Sequence, residues 1–221
     1  MIQSATLYTD RLKSLRRFYG FVLGLDVTET ADEQFTVRVG TSHLTFKQSE
    51  LPAYYHFAIN IPGNQFSMMK YWITERVTLN RDSGRDEVYF SGFDADSMYF
   101  EDPAGNIVEL IGRRKRDLFG DLTKESFLNI SEIGIVTPFV TDAGERLMDE
   151  GIPLRKGTEV DPNGLNFLGR EDWYLVLVPP GRTWYFSQSR AATFPLELTW
   201  GDAQRISVDP EGRLQVEKIE N

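Results

Sequence analysis

The sequence predicts an α+β fold built from repeated βαβββ units, and three observations carry that prediction. A strand, a helix and further strands follow one another in the first 50 residues; the same order restarts near residue 54; it restarts again near residue 132.

In the first unit, residues 5–8 read as a short strand, and Asp10 precedes a helix whose Leu12, Leu15, Phe18 and Tyr19 fall at helical spacing. Gly20 and Gly24 end that helix. Residues 35–39 alternate as a half-buried strand does, Gly40-Thr41 supplies a turn, 44–47 alternate again, and a weaker strand falls near 26–30. The second unit repeats the order, with a strand at 56–61, a helix within 65–74 and strands near 87–91 and 98–101. A turn at Asp102-Pro103-Ala104-Gly105-Asn106 leads into its last strand at 107–111.

The basic run Arg113-Arg114-Lys115-Arg116 lies where a solvated linker between units is expected. In the third unit a strand covers 133–138, and a helix over 143–150 closes at Gly151. Strands at 173–178 and 183–186 flank a Pro179-Pro180-Gly181 turn. The tail offers strands at 194–200, at 205–208 and after Gly212, expected to dock on the third unit. The resulting division is a domain of paired units over 1–115 (1–50 and 54–112), a linker over 116–128, and a third βαβββ-like unit with C-terminal strands over 129–221.

Composition narrows the function classes. The net charge of -9 over 221 residues argues against nucleic acid or an anionic membrane as partner. With 41% hydrophobic and 13% aromatic residues the chain can fill a core, and disorder is excluded. The absence of cysteine removes disulfides, zinc thiolates, iron–sulfur clusters and thiol nucleophiles. No apolar run is long enough for a membrane helix, and the first residues lack a leader pattern, so a cytoplasmic protein with nothing to cleave is expected. Dinucleotide and phosphate-loop fingerprints, HExxH pairs and nucleophile elbows are all missing.

Leu7-Tyr8 before a helix that ends in Phe18-Tyr19 and Leu23-Gly24-Leu25, together with Asp102-Pro103-Ala104-Gly105-Asn106 leading into Val108-Glu109-Leu110, resembles the vicinal oxygen chelate superfamily. That superfamily includes glyoxalase, bleomycin-resistance, fosfomycin-resistance and extradiol dioxygenase proteins. The resemblance covers residues 1–115; the later part follows by internal repeat. It implies a glyoxalase-like fold in which two paired modules form a cup, beside a third, divergent module. Each module can give one ligand from its first strand and one from its last to a divalent ion.

Laying the units on one another puts Ser4, His56 and Glu132 at the first-strand ligand position and Thr45, Glu109 and Tyr185 at the last-strand position. His56 and Glu109 are 53 residues apart, as are Glu132 and Tyr185, which supports the third repeat. Ser4 and Thr45 are poor ligands, so His56, Glu109 and Glu132 are the metal candidates, and Glu109 and Tyr185 the catalytic ones. Substrate oxygens and waters, Glu132, or a metal-free pocket could each complete the half-site.

Each candidate has a plainer reading. His56 could be a satisfied interior histidine, Glu109 a carboxylate paired with Arg113, Glu132 a solvated strand end, and Tyr185 a core aromatic. His43 has no ligand counterpart and is expected to be structural or solvent-facing. Tyr54, Tyr55, Phe57, Tyr99 and Phe100 could line a pocket or fill the core.

The resemblance implies a metal-dependent lyase, isomerase or dioxygenase acting on a small substrate with vicinal oxygens, through zinc, nickel, manganese or iron. The alternative is a metal-free binding and resistance protein for an antibiotic-like molecule. A small-molecule ligand or substrate is the expected partner. A homodimer is also expected, because an odd number of modules leaves one without a mate inside the chain.

Overall fold

The computed structural model describes residues 1–31, 33–201 and 204–219. Fourteen strands and three α-helices are seen among them. The first unit runs β1 (Ile2–Thr9), α1 (Leu12–Arg17), β2 (Val27–Ala31), β3 (Gln34–Val39) and β4 (Ser42–Gln48). Its helix does not stop at Gly20 but continues as a π-helical turn, Phe18–Val22, before Gly24 adopts a φ of +67° and turns the chain. Leu15, Phe18 and Tyr19, the residues that gave the helical pattern, are buried.

The second unit runs β5 (His56–Pro62), α2 (Phe66–Thr74), β6 (Val88–Phe90), β7 (Ala95–Glu101) and β8 (Ile107–Arg113). In both units the first strand pairs parallel with the last, which pairs antiparallel with the third and so on outward. The third unit is shorter: β9 (Asn129–Val136), α3 (Val140–Asp149), β10 (Asn166–Arg170) and β11 (Trp173–Val178). Its missing strand survives as a single bridge between Leu154 and Leu168 on the outer edge of β10. The tail forms β12 (Leu196–Trp200), β13 (Gln204–Val208) and β14 (Leu214–Lys218).

Repeated units of α+β type therefore stand, but their pairing differs from the one expected. One sheet has the order β14-β13-β12-β1-β4-β3-β2, the other β10-β11-β9-β5-β8-β7-β6. The second and third units, not the first and second, join through the antiparallel pairing of β5 with β9. The first unit instead takes the tail, whose β12 pairs with β1 rather than with the third unit. The third unit thus has its mate within the chain, and no module is left over to require a second copy.

Alternation along β5 explains why the second sheet can carry a site. Phe57, Ile59 and Ile61 point to one face, where they join Val108, Leu110, Ile133, Ile135, Leu175 and Leu177 in the main core with the first sheet's Ala5, Leu7, Phe35, Leu44 and Phe46. The residues between them face the opposite side of the sheet, which curls into the cup. Segment 179–195, expected to hold a strand at 183–186, is a strap of turns lying over that face. A bridge between Thr183 and Arg190 closes it on itself, and the Tyr54 hydroxyl donates to the Arg190 carbonyl at 2.7 Å.

The basic run does not behave as one solvated stretch. Arg113 is buried at the end of β8, while Arg114 pairs with Asp96 and Arg116 with Asp172. No helix among the described residues is long and apolar enough to cross a membrane.

Candidate metal centre

Register places the three candidate ligands. Ala58 on β5 lies opposite Glu109 on β8 and opposite Glu132 on β9. His56 is two residues back on β5, so its side chain leaves the same face. A nitrogen of His56 and one carboxylate oxygen each of Glu109 and Glu132 all lie within 4.8 Å of one another. His56 Nε2 stands 3.6 Å from Glu109 Oε2.

The imidazole is oriented from behind. Its Nδ1 lies 3.1 Å from the Ile107 carbonyl, which requires the proton on Nδ1 and leaves the Nε2 lone pair facing the carboxylates. Burial lowers the His56 pKa to about 4, so the ring is neutral near pH 7. The Trp184 indole packs on it at 4.9 Å between ring centroids. That approach requires Gly134 on β9, because a Cβ there would stand 2.8 Å from the indole.

Two buried carboxylates sharing this space disfavour their ionised forms. Burial pushes Glu109 up, opposed by the Ser97 and Tyr99 hydroxyls and the Arg113 guanidinium. Glu132 is pushed up further, by burial first and then by the charge of Glu109. Arg113 stands 3.5 Å from Glu132 and donates to the Ser131 hydroxyl at 2.9 Å. The pairing of Arg113 with Glu109 considered from the sequence is thus replaced by one with Glu132. Arg113 acts on both carboxylates and Arg155 on Glu132, yet burial outweighs them and both carboxyls stay raised. A neutral imidazole with a directed lone pair and two under-compensated carboxylates is a donor set that fits a divalent cation.

Above these residues is a cavity of about 310 Å³. Phe90, Phe93, Tyr99, Phe167, Trp184 and Tyr185 supply aromatic walls, Ile111, Leu165 and Val176 aliphatic ones, and Arg182 and Thr183 polar groups. Tyr99 lies directly across from Glu109 in the β7–β8 pairing and stacks on Phe186 at 5.0 Å.

Several expected positions fall elsewhere. Tyr185 lines the cavity but lies half-exposed on the strap, not on the last strand of the third unit. The strand that pairs parallel with β9 is β11, so the counterpart of Glu109 is Val176 and the equal spacing of 53 residues was coincidental. Ser4 and Thr45 lie in the other sheet, bonded to Thr199 at 2.7 Å and Thr36 at 2.9 Å. His43 is exposed there. Of Tyr54, Tyr55, Phe57, Tyr99 and Phe100, only Tyr99 reaches the cavity; Phe57 and Phe100 are core, Tyr54 packs on Phe194, and the Tyr55 hydroxyl donates to the Pro195 carbonyl.

Sequence reasoning missed Phe90, Phe93, Phe167 and Trp184, because aromatics in loops and edge strands show no periodicity. One signal was available for the indole: an isolated glycine, Gly134, inside an apolar strand marks a close approach.

Comparison with known proteins agrees with this architecture. A structure from Bacillus subtilis subsp. subtilis str. 168, titled as a candidate dioxygenase, is similar over 80% of this chain, with a TM-score of 0.55 and 15% identity; this chain spans 63% of its length. Lactoylglutathione lyase from Agrobacterium tumefaciens is 19% identical over 51% of this chain and 92% of its own, with a TM-score of 0.43. A glyoxalase/dioxygenase from Nostoc punctiforme is 19% identical over 51% of this chain and 90% of its own, at 0.41. The family model of the toxoflavin-degrading enzyme matches residues 130–182, the segment holding Glu132, Val176 and Arg182. No curated protein matches by sequence. The likeness to the Bacillus subtilis structure shows a glyoxalase-like fold of βαβββ units, the fold that the sequence resemblance implied.

Proposed function

We propose that this chain is a metal-dependent enzyme of the vicinal oxygen chelate type, acting on a small, planar substrate with vicinal oxygens. The carrying observation is the convergence of His56, Glu109 and Glu132, all buried, on one point at the floor of an aromatic cavity. These three residues would hold a divalent ion such as zinc, nickel, manganese or iron, and bound there it would supply Lewis acidity to substrate oxygens.

The chain's own groups then have definable work. The Ile107 carbonyl holds the His56 proton on Nδ1 and keeps Nε2 directed at the ion position. The walls of Phe90, Phe93, Tyr99 and Trp184 select a flat ring and exclude water, and Arg182 and Thr183 can meet polar substituents. In this reading Glu109 accepts a proton as well as ligating, and the Tyr185 hydroxyl donates a hydrogen bond to the substrate. The match of residues 130–182 to a toxoflavin-degrading enzyme model supports toxoflavin degradation as the reaction to try first; lyase, isomerase and dioxygenase chemistries are the classes to assay.

A second reading has its own support. The cavity walls are mainly aromatic, which suits a metal-free protein that sequesters a planar antibiotic-like molecule. Turnover that is lost on chelation and restored by metal supports the enzyme. Stoichiometric binding indifferent to chelator supports sequestration.

A further inference from the structure

We infer that Arg182 selects the charge of the substrate: the planar ring taken by this cavity carries a carboxylate on the edge opposite its two vicinal oxygens. The orientation of the ring rests on the metal reading of His56, Glu109 and Glu132; the choice of charge rests on the cavity itself.

Charge is unevenly distributed around that cavity. Its floor holds Glu109 and Glu132 beside a neutral His56, and its walls are mainly carbon. Among the described residues that line it, Arg182 is the single cation, and it comes from the strap lying over the cup. The neighbouring guanidiniums are engaged: Arg113 with Glu132 and Ser131, Arg155 with the Gly92 carbonyl and the Phe93 ring. The exposed Arg182 side chain has no hydrogen bond, ion pair or ring contact among the described residues, and the Thr183 hydroxyl beside it has none either. Glu101, which reaches the strap, accepts from the Ser187 hydroxyl at 3.1 Å instead. Residues 179–195 contain two arginines and no Asp or Glu, in a chain of net charge -9. The cover of the cavity is therefore positive where the protein as a whole is negative, and it draws anions to this mouth.

The geometry of the free group narrows the anion. A guanidinium presents paired donors in one plane, which match the two oxygens of a carboxylate, and its single charge balances one carboxylate. Thr183 adds a hydroxyl at the same end. A volume of about 310 Å³ holds one ring with its substituents. The floor carboxylates repel a further anion, so the substrate's carboxylate lies toward the strap and its vicinal oxygens toward the ion.

The test compares two probes by calorimetry on zinc(II)-loaded protein, in which the metal has no redox chemistry. One is a catechol with a carboxylate para to one hydroxyl, the other its uncharged methyl ester. Wild type should bind the acid about tenfold or more tightly than the ester. Arg182→Gln should remove that preference, weakening the acid about tenfold and leaving the ester within about threefold of wild type. Arg182→Lys keeps the charge without the planar fork and should keep an intermediate preference. The side chain is exposed and unpartnered, so both variants should melt as wild type does.

Equal binding of acid and ester by wild type, an acid preference that survives Arg182→Gln, or no binding of either probe would overturn the assignment of Arg182. Failure of wild type to take up zinc or any other divalent ion would overturn the metal reading, and the same acid–ester comparison on the metal-free protein would then decide Arg182 by itself.

Discussion

Glu109 and Glu132 flank Ala58 in one row across three adjacent strands: Ala58 pairs with Glu109 along the parallel β5–β8 ladder and with Glu132 along the antiparallel β5–β9 ladder. The methyl group between them is the smallest side chain that keeps the strand regular, and it leaves the space between the carboxylates open. Ala58→Leu should fill that space while adding apolar bulk to a buried position. It should weaken divalent metal binding by about 100-fold, with a stability cost of about 1–3 kcal/mol from overpacking. Metal titration and thermal melting separate the two effects.

The same pair makes the ion-free protein sensitive to pH. Glu132 has a folded pKa raised above its ordinary 4.5, by burial and by Glu109, so its contribution to stability is present at low pH and lost as pH rises through the folded value. His56 acts oppositely: lowered from 6.5 to about 4, its contribution is complete above pH 6.5. Above pH 6.5 the ion-free wild type should therefore lose stability relative to Glu132→Gln, at about 2–4 °C of Tm per kcal/mol. Saturating divalent metal should abolish the wild-type decline. Melting curves at several pH values, with and without metal, check this.

Gly134→Ala places a methyl group against Trp184. The indole must shift, and the imidazole stacked on it loses its support. The expected result is a loss of about 1–3 kcal/mol of stability together with weaker metal binding. Trp184→Phe removes the colliding edge, so the double variant should be less destabilised than the sum of the single ones.

A structural tie joins the first and second units away from the cavity. The Tyr19 hydroxyl donates to Asp102 Oδ2 at 2.7 Å, and Asp102 also accepts from the Ala104 and Asn106 amides and the Asn106 side chain. Tyr19→Phe removes one hydrogen bond to a buried carboxyl whose Oδ2 keeps the bond from the Asn106 side chain, and should cost about 1–3 kcal/mol. Metal affinity should not change, which distinguishes this turn from the ligand set.

What the sequence disclosed follows the range of the forces involved. Helical and strand periodicity are local, so the order of elements in the first two units was legible, and superposing the units singled out His56, Glu109 and Glu132. Which unit joins which is decided by pairing between distant strand edges, β1 with β12 and β5 with β9, and no local pattern encodes it. Tyr185 was placed on a last strand by a coincidence of spacing, because β10 was not seen and the strap resembled a strand. Gly134 marks a close approach to its strand, but that the approaching group is the Trp184 indole is decided by the long-range path of the strap, which no local pattern encodes.

The most direct measurement is the metal content of tag-free protein, by elemental analysis after reconstitution with each candidate ion, alongside His56→Ala, Glu109→Gln and Glu132→Gln. Near-stoichiometric divalent metal is expected in wild type, and a drop in affinity of at least about 100-fold in each variant, with the fold retained. Wild type that binds no divalent ion, or binds one as tightly after His56→Ala, would contradict the metal reading.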